Sequence, residues 1–249
     1  MSRGLIRSER HEKWIAQYGK VYKDAVEEKR FQVFKNNVQF IESFNAAGDK
    51  PFNLSINQFV DLHDEEFKAL LINVQKKAKQ ELVDCVRGDS EACHGGFVEN
   101  AFEFIANKGG ITSEAYYPYK GKDRSCKVKK ETHGVARNIG YEKVPSNNSE
   151  KALLKAVANQ PVSVYIDAGA PAYKFYSSGI FNARNCGTHL DHAATVVGYG
   201  KLHDGTKYWL VKNSWSTAWG EKGYIRMKRD IHSKKGLCGI ASNASYSIA

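Results

Sequence analysis

Two stretches of the chain hold residues whose types and spacing can do chemistry. LDHAATVVGYG (190–200) presents His192 at the mouth of an apolar strand, and KNSWSTAWGEKGYI (212–225) presents Asn213 beside Trp215 and Trp219. An amide carbonyl that accepts one ring N–H holds an imidazole in one tautomer and one orientation. The other ring nitrogen is then free to face a thiol. An isolated histidine is more often structural than catalytic, but the pair in these contexts is far more specific. The chemistry it suits is attack by a thiolate, with the imidazole as its base.

Five cysteines could supply the sulfur: Cys85, Cys93, Cys126, Cys186 and Cys238. None sits in a C-x-x-C pair, and Cys93 beside His94 lacks two further ligands at suitable spacing. The sequence therefore predicts no metal site and no cofactor. Sequons at Asn53, Asn147 and Asn243 bear on the protein only if it enters the secretory pathway.

The elements that must position these residues change character along the chain. In residues 24–46, Phe31, Phe34, Val38 and Ile41 recur at steps of three and four, one apolar stripe on a long helix, with Gly48 placed to end it. Shorter helices are expected near 9–18, around Trp14, and near 63–72, after a turn-and-strand stretch PFNLSINQF. From about residue 80 glycine and aromatic residues multiply. Helices are expected at 97–110 and 149–160, the second stopped by Pro161. Strands are expected at 162–166, 193–200, 208–215 and 224–229, with LHDGT (202–206) as a hairpin turn.

At 249 residues the chain holds one large domain or two modest ones. No apolar run approaches the roughly 20 residues needed to cross a bilayer, and MSRGLIRSERHEKW lacks the apolar core of a secretory signal. The net charge is +10, yet residues 1–78 carry 13 basic and 11 acidic side chains. The excess gathers in KGKDRSCKVKK (120–130) and KGYIRMKRDIHSKK (222–235), neither of which shows a nucleic-acid module. A solvated basic face is the reading, with neither nucleic acid nor membrane as a partner and a monomer as the state.

The two chemical stretches resemble the His and Asn motifs of papain-like cysteine peptidases, closest to plant members. QELVDC (80–85), CHGG (93–96), YYPY (116–119), NQPVSV (159–164), YSSGIF (176–181) and CGIA (238–241) match further landmarks of that family. Residues 24–46 resemble its propeptide helix, with Arg30, Phe34, Asn37, Ile41 and Asn45 in place and Val26 where a Glu opens the pattern. Asn57, Phe59 and Asp61 match the second propeptide motif, with Ser55 in place of its usual Gly.

The resemblance implies an α+β protein: a helical, inhibitor-type propeptide-like domain (1–78), then an incomplete papain-like two-domain fold (79–249). Residues 79–127 would be the remnant of the α-helical domain, and 128–249 a β-rich, barrel-like domain. It also implies disulfides Cys85–Cys126 and Cys186–Cys238, with Cys93 unpaired because its family partner lies in a segment this chain lacks. Phe97, Val98, Tyr165, Leu190, Ala193 and Asn243 would surround the pocket that reads the substrate side chain. Tyr165 stands where many members have a small residue, so it partly fills that pocket. For Val98, Leu190 and Ala193 plain core packing is the competing reading. Family members act on peptides and proteins in vacuoles, lysosomes or outside the cell.

One part of the resemblance fails. The family nucleophile sits in a C-G-[SA]-C-[WY] signature roughly 130–150 residues before the His. Counting back from His192 reaches 42–62, which holds no cysteine, and Cys85 lies 107 residues before it. The Gln that supplies an oxyanion donor is missing too, a loss of roughly 10²–10³ in rate by itself. The propeptide text runs into QELVDC through a seam within LINVQKKAK (71–79). The expectation is a peptidase homologue that is inactive as written, with an apolar face bared where the lost segment would dock. Two alternatives stand beside it: a propeptide-like inhibitor of related peptidases, and a product of exon skipping or an imperfect gene model.

Overall fold

The computed structural model describes residues 2–73, 80–86, 93, 95–127, 134–145, 149–183 and 185–249. Most of the expected seam, His94 and the sequon at Asn147 lie outside the described residues.

Helix α1 (Ser2–Tyr18) and helix α2 (Asp24–Ala46) cross through the expected stripe. Phe34, Val38 and Ile41 are buried, Phe31 is half-buried, and the Trp14 ring lies 5.4 Å from that of Phe34. Burying each aromatic contributes about 1.5–3 kcal/mol. Gly48 follows the last turn at φ +75°, a conformation glycine adopts without a Cβ clash.

The polar positions of α2 hold the chain that follows it. Asn45 exchanges two hydrogen bonds with the backbone of Leu54, at 2.9 and 3.0 Å. Asn37 donates to the carbonyls of Val60 and Leu62, and Arg30 forks onto both oxygens of Glu66 at 2.7 and 2.8 Å. Buried backbone carbonyls need donors, and a helix face of Asn and Arg supplies them to an irregular segment that has no ladder of its own. Strand β1 (Phe52–Leu54) and helix α3 (Asp64–Asn73) are thereby fixed against α2.

Helix α4 (Gln80–Cys85) and helix α5 (Val98–Lys108) follow. Gly109 and Gly110 close α5 by bonding back to the carbonyls of Ala106 and Ile105. Strands β2 (Ile111–Thr112) and β3 (Gly134–Ala136) form a small antiparallel pair. The main sheet is built from β4 (Gly140–Lys143), β5 (Val162–Ile166), β6 (Tyr176–Phe181), β7 (His192–Lys201), β8 (Lys207–Lys212), β9 (Tyr224–Lys228) and β10 (Ala244–Ile248), together with β1. Helix α6 (Ser149–Val157) precedes β5, and the short α7 (Pro171–Lys174) leads into β6.

The strand order is β1-β6-β9-β8-β7-β5-β10-β4, antiparallel except for β6 beside β9. The two ends of this order, β1 and β4, do not pair, so the barrel-like expectation is corrected to an open eight-stranded sheet. The expected strand 208–215 is also shorter: β8 ends at Lys212. Asn213 turns the chain there by accepting the N–H of Ser214 on its own side-chain oxygen at 2.7 Å, which competes with a ladder bond. The β7–β8 hairpin closes over 202–206, as its Asp-Gly predicts.

Among the described residues no helix is long and apolar enough to cross a membrane, and no cluster of His, Cys, Asp and Glu could hold a metal ion.

Candidate active site

His192 opens β7 opposite Ile166 of β5, and Asn213 lies one residue past the end of β8, the neighbouring strand. Sheet pairing therefore brings together two residues that are 21 apart in sequence. His192 Nε2 lies 2.9 Å from Asn213 Oδ1. That oxygen already accepts from Ser214 N–H, so it is an acceptor and the ring nitrogen facing it is the donor. Nδ1 is left with its lone pair.

The ring is 4 % exposed and sits 4.9 Å from the ring of Trp215. Burial disfavours the imidazolium and pushes the pKa of His192 down to about 4, only partly opposed by the bond to Asn213. At neutral pH this is an uncharged, oriented base.

Trp215 is itself enclosed. Phe59 and Phe67 meet its ring edge-on at 5.3 and 5.4 Å, Tyr173 and Trp219 pack at 5.5 and 5.0 Å, and Gln58 donates to its carbonyl at 2.8 Å. Three of these five partners come from the N-terminal segment. Asn57 adds a bond to the carbonyl of Lys174, which also accepts from Trp219 Nε1. Lys174 is fully buried, its ammonium 2.5 Å from the Leu62 carbonyl and 3.4 Å from Asp64. Desolvation lowers its pKa, with Asp64 acting against that. Sequence reasoning passed over Gln58, Phe67 and Lys174. Only Gln58, adjacent to Asn57 and Phe59, carried a signal.

The thiols lie elsewhere. Cys85 is bonded to Cys126 and Cys186 to Cys238. Cys93 is free, and its backbone N–H binds Asp123 at 2.8 Å. Desolvation and the neighbouring Asp123 push its thiol up to about 11. Among the described residues no sulfur is hydrogen-bonded to His192.

Of the residues expected around a substrate pocket, Tyr165 is the hub. It faces Ala193 across the β5–β7 ladder and donates its backbone N–H to Asn243. Its hydroxyl accepts from Val98 N–H at 2.8 Å and donates to Glu99 at 3.0 Å. Glu99 is buried, and its second oxygen has no partner among the described residues. Leu190 lies against Gly239, and Phe97, at the N-cap of α5, is 51 % exposed. Beside the site lies a cleft of about 530 Å³ lined by Thr195, Lys212, Ser214 and their neighbours. Large exposed apolar side chains occur elsewhere, not in this lining, because β7 and the segment after β8 present small and polar residues there.

A His–Asn pair shielded by tryptophan on an open sheet, with a helical segment packed onto it, defines the thiol-peptidase class in its precursor form. The description "Papain family cysteine protease" matches residues 67–248, and "Cathepsin propeptide inhibitor domain" matches 11–67. The chain belongs to the papain family of cysteine proteases.

It is 42% identical to the senescence-specific cysteine protease SAG39 of Oryza sativa subsp. japonica, covering 96% of this chain and 90% of that one. With the senescence-specific cysteine protease SAG12 of Arabidopsis thaliana the identity is 39%, over 97% and 90%. Among solved structures, a recombinant stem bromelain precursor superposes with a TM-score of 0.86 at 35% identity, covering 97% of this chain and 98% of that one. A digestive procathepsin L 3 of Tenebrio molitor gives 0.86 at 30%, covering 98% and 99%. The rice alignment runs over 309 positions against the 249 residues of this chain, so at least 60 positions of that relative have no counterpart here.

Proposed function

We propose that this protein is a papain-type cysteine endopeptidase precursor that has lost its nucleophile and is catalytically inert. In this reading residues 1–78 form the propeptide-like part and 79–249 the truncated peptidase part. Residues 79–127 are then the helical remnant and 128–249 the β-rich half. His192 is the base, Asn213 its positioning residue, and Phe97, Val98, Tyr165, Leu190, Ala193 and Asn243 the vestige of a substrate pocket. The observation that carries it is the environment of the sulfurs. Four are bonded in pairs, and the fifth, Cys93, lies beside Asp123 with its thiol raised to about 11, the reverse of an activated nucleophile. A peptide carbonyl held at His192 would meet a neutral base and no thiolate.

The test is to treat the purified chain, before and after limited acid proteolysis of its N-terminal segment, with a fluorogenic peptide and an epoxysuccinyl thiol probe. No turnover and no specific labelling are expected. Probe incorporation at Cys93 together with peptide cleavage would overturn the reading.

A second reading is favoured by the match of residues 11–67 to the inhibitor domain and by the packing of Gln58, Phe59 and Phe67 on Trp215. Residues 1–78 would bind the equivalent tryptophan of an intact relative and inhibit it in trans. Adding that segment to an active plant papain-type enzyme tests this, and full activity at micromolar segment removes it.

A further inference from the structure

The cleft beside Asn213 has a lining that the proposed loss of catalysis does not explain. Its volume of about 530 Å³ is in the range of ligand pockets, roughly 300–1,000 Å³. Thr195 and Lys212, cross-strand partners on β7 and β8, line it together with Ser216, Thr217 and Lys222. Neither lysine is in an ion pair among the described residues.

Asn213 lines the same cleft. It is 7 % exposed, its Oδ1 is used by His192 and Ser214, and its Nδ2 has no partner among the described residues. A buried amide N–H₂ without an acceptor is costly, and two lysines outside any ion pair among the described residues line the same cleft. Ser216 and Lys222 both hold left-handed backbones, at φ +70° and +55°, an unfavourable conformation for side-chain-bearing residues. Donors, cations and strain converge in a lining that, among the described residues, holds no carboxylate.

We propose that this cleft binds an acidic peptide segment, one carboxylate side chain being taken between Lys212 and Lys222. The hydroxyls of Thr195, Ser216 and Thr217 are placed to bond the peptide's own amides. A carboxylate is preferred over a neutral group because both charged residues of the lining are lysines. A peptide is preferred over a small anion because the lining runs along two strand segments rather than enclosing one point. The binding is independent of turnover at His192.

The experiment measures fluorescence anisotropy of a fluorescein-labelled Gly-Glu repeat peptide with the full chain at low ionic strength. A Gly-Gln repeat of equal length is the neutral control. The Glu peptide is expected to bind and the Gln peptide not to. Lys212→Glu with Lys222→Glu should weaken binding about tenfold, and Thr195→Trp, which fills the cleft without changing charge, should weaken it as well. Lys120→Glu with Lys122→Glu, in the other basic stretch, should shift it less than about twofold. Absence of binding overturns the proposal. So does equal loss in the 120/122 pair, which means diffuse attraction to a basic chain. So does full affinity in a folded Thr195→Trp. Circular dichroism checks each fold, and if Thr195→Trp does not fold, the comparison of the two lysine pairs decides.

Discussion

The side-chain amide of Gln58 donates 2.8 Å to the backbone carbonyl of Trp215, joining the N-terminal segment to the residue that shields His192. The bond spans 157 residues and is flanked by Phe59 and Phe67 on the same indole. The propeptide-like segment is therefore a wall of the candidate site as well as a neighbour of it.

Removing that wall should be costly. Phe67 is 1 % exposed, so Phe67→Ala is expected to destabilise the protein by about 3–5 kcal/mol, and Gln58→Ala by about 1 kcal/mol. Urea denaturation followed by tryptophan emission checks both. A Phe67→Ala protein as stable as the parent would mean that the segment does not rest on Trp215.

Tyr165 clasps helix α5 to the sheet through Val98 and Glu99. Tyr165→Phe keeps the ring and removes the hydroxyl, leaving a buried carboxylate and a buried N–H short of partners. A loss of about 1–3 kcal/mol is expected. Faster amide hydrogen exchange at the start of α5 would localise the effect, and unchanged exchange there would rule out the clasp.

The buried imidazole makes stability depend on pH. Folded His192 titrates near 4, whereas an unfolded histidine titrates near 6.5. Between these values the unfolded chain binds a proton that the folded chain refuses, so stability is full above about pH 6.5 and falls as pH drops toward 4. The loss over that window is roughly 3 kcal/mol. His192→Leu should remove this share of the pH dependence. An identical stability–pH curve for the variant would show that His192 is not the group responsible.

Cys93 should react slowly. A thiol raised to about 11 is almost wholly protonated at pH 8, and only the thiolate attacks an alkylating reagent. Iodoacetamide is expected to label it more slowly than a free model thiol, and Asp123→Asn should speed the reaction by removing the carboxylate. Faster labelling than the model thiol would contradict the arrangement around Asp123.

Some of this was legible in the sequence because it repeats with a local period. The stripe on α2, the alternation in β5 at 162–166 and the Asp-Gly turn at 202–206 are set by neighbours within a few residues. Strands β4 and β10 escaped notice: GYEK carries no clear alternation, ASYSI alternates over only five residues, and both are strands because β10 pairs with β4 on one side and with β5 on the other. The three residues of β1 are a strand only through β6, where Gly179 allows the approach: a Cβ there would collide with the Pro51 carbonyl. Lys174 reads as a surface residue and is fully buried, because a carbonyl, a carboxylate and two phenyl rings surround its ammonium.

Composition and order along the chain settled which groups exist: one His–Asn pair in an aromatic setting, five cysteines, and none of them at the distance before His192 where the family keeps its nucleophile. Tertiary structure alone decided what those groups are chemically. Burial under Trp215 keeps the imidazole neutral, desolvation and Asp123 keep the free thiol protonated, and the chain from β8 onward brings Asn213, Lys212 and Lys222 to line one cleft. Solvation and Coulomb energies depend on distances in space, and contacts 21 or 157 residues apart have no local pattern that announces them.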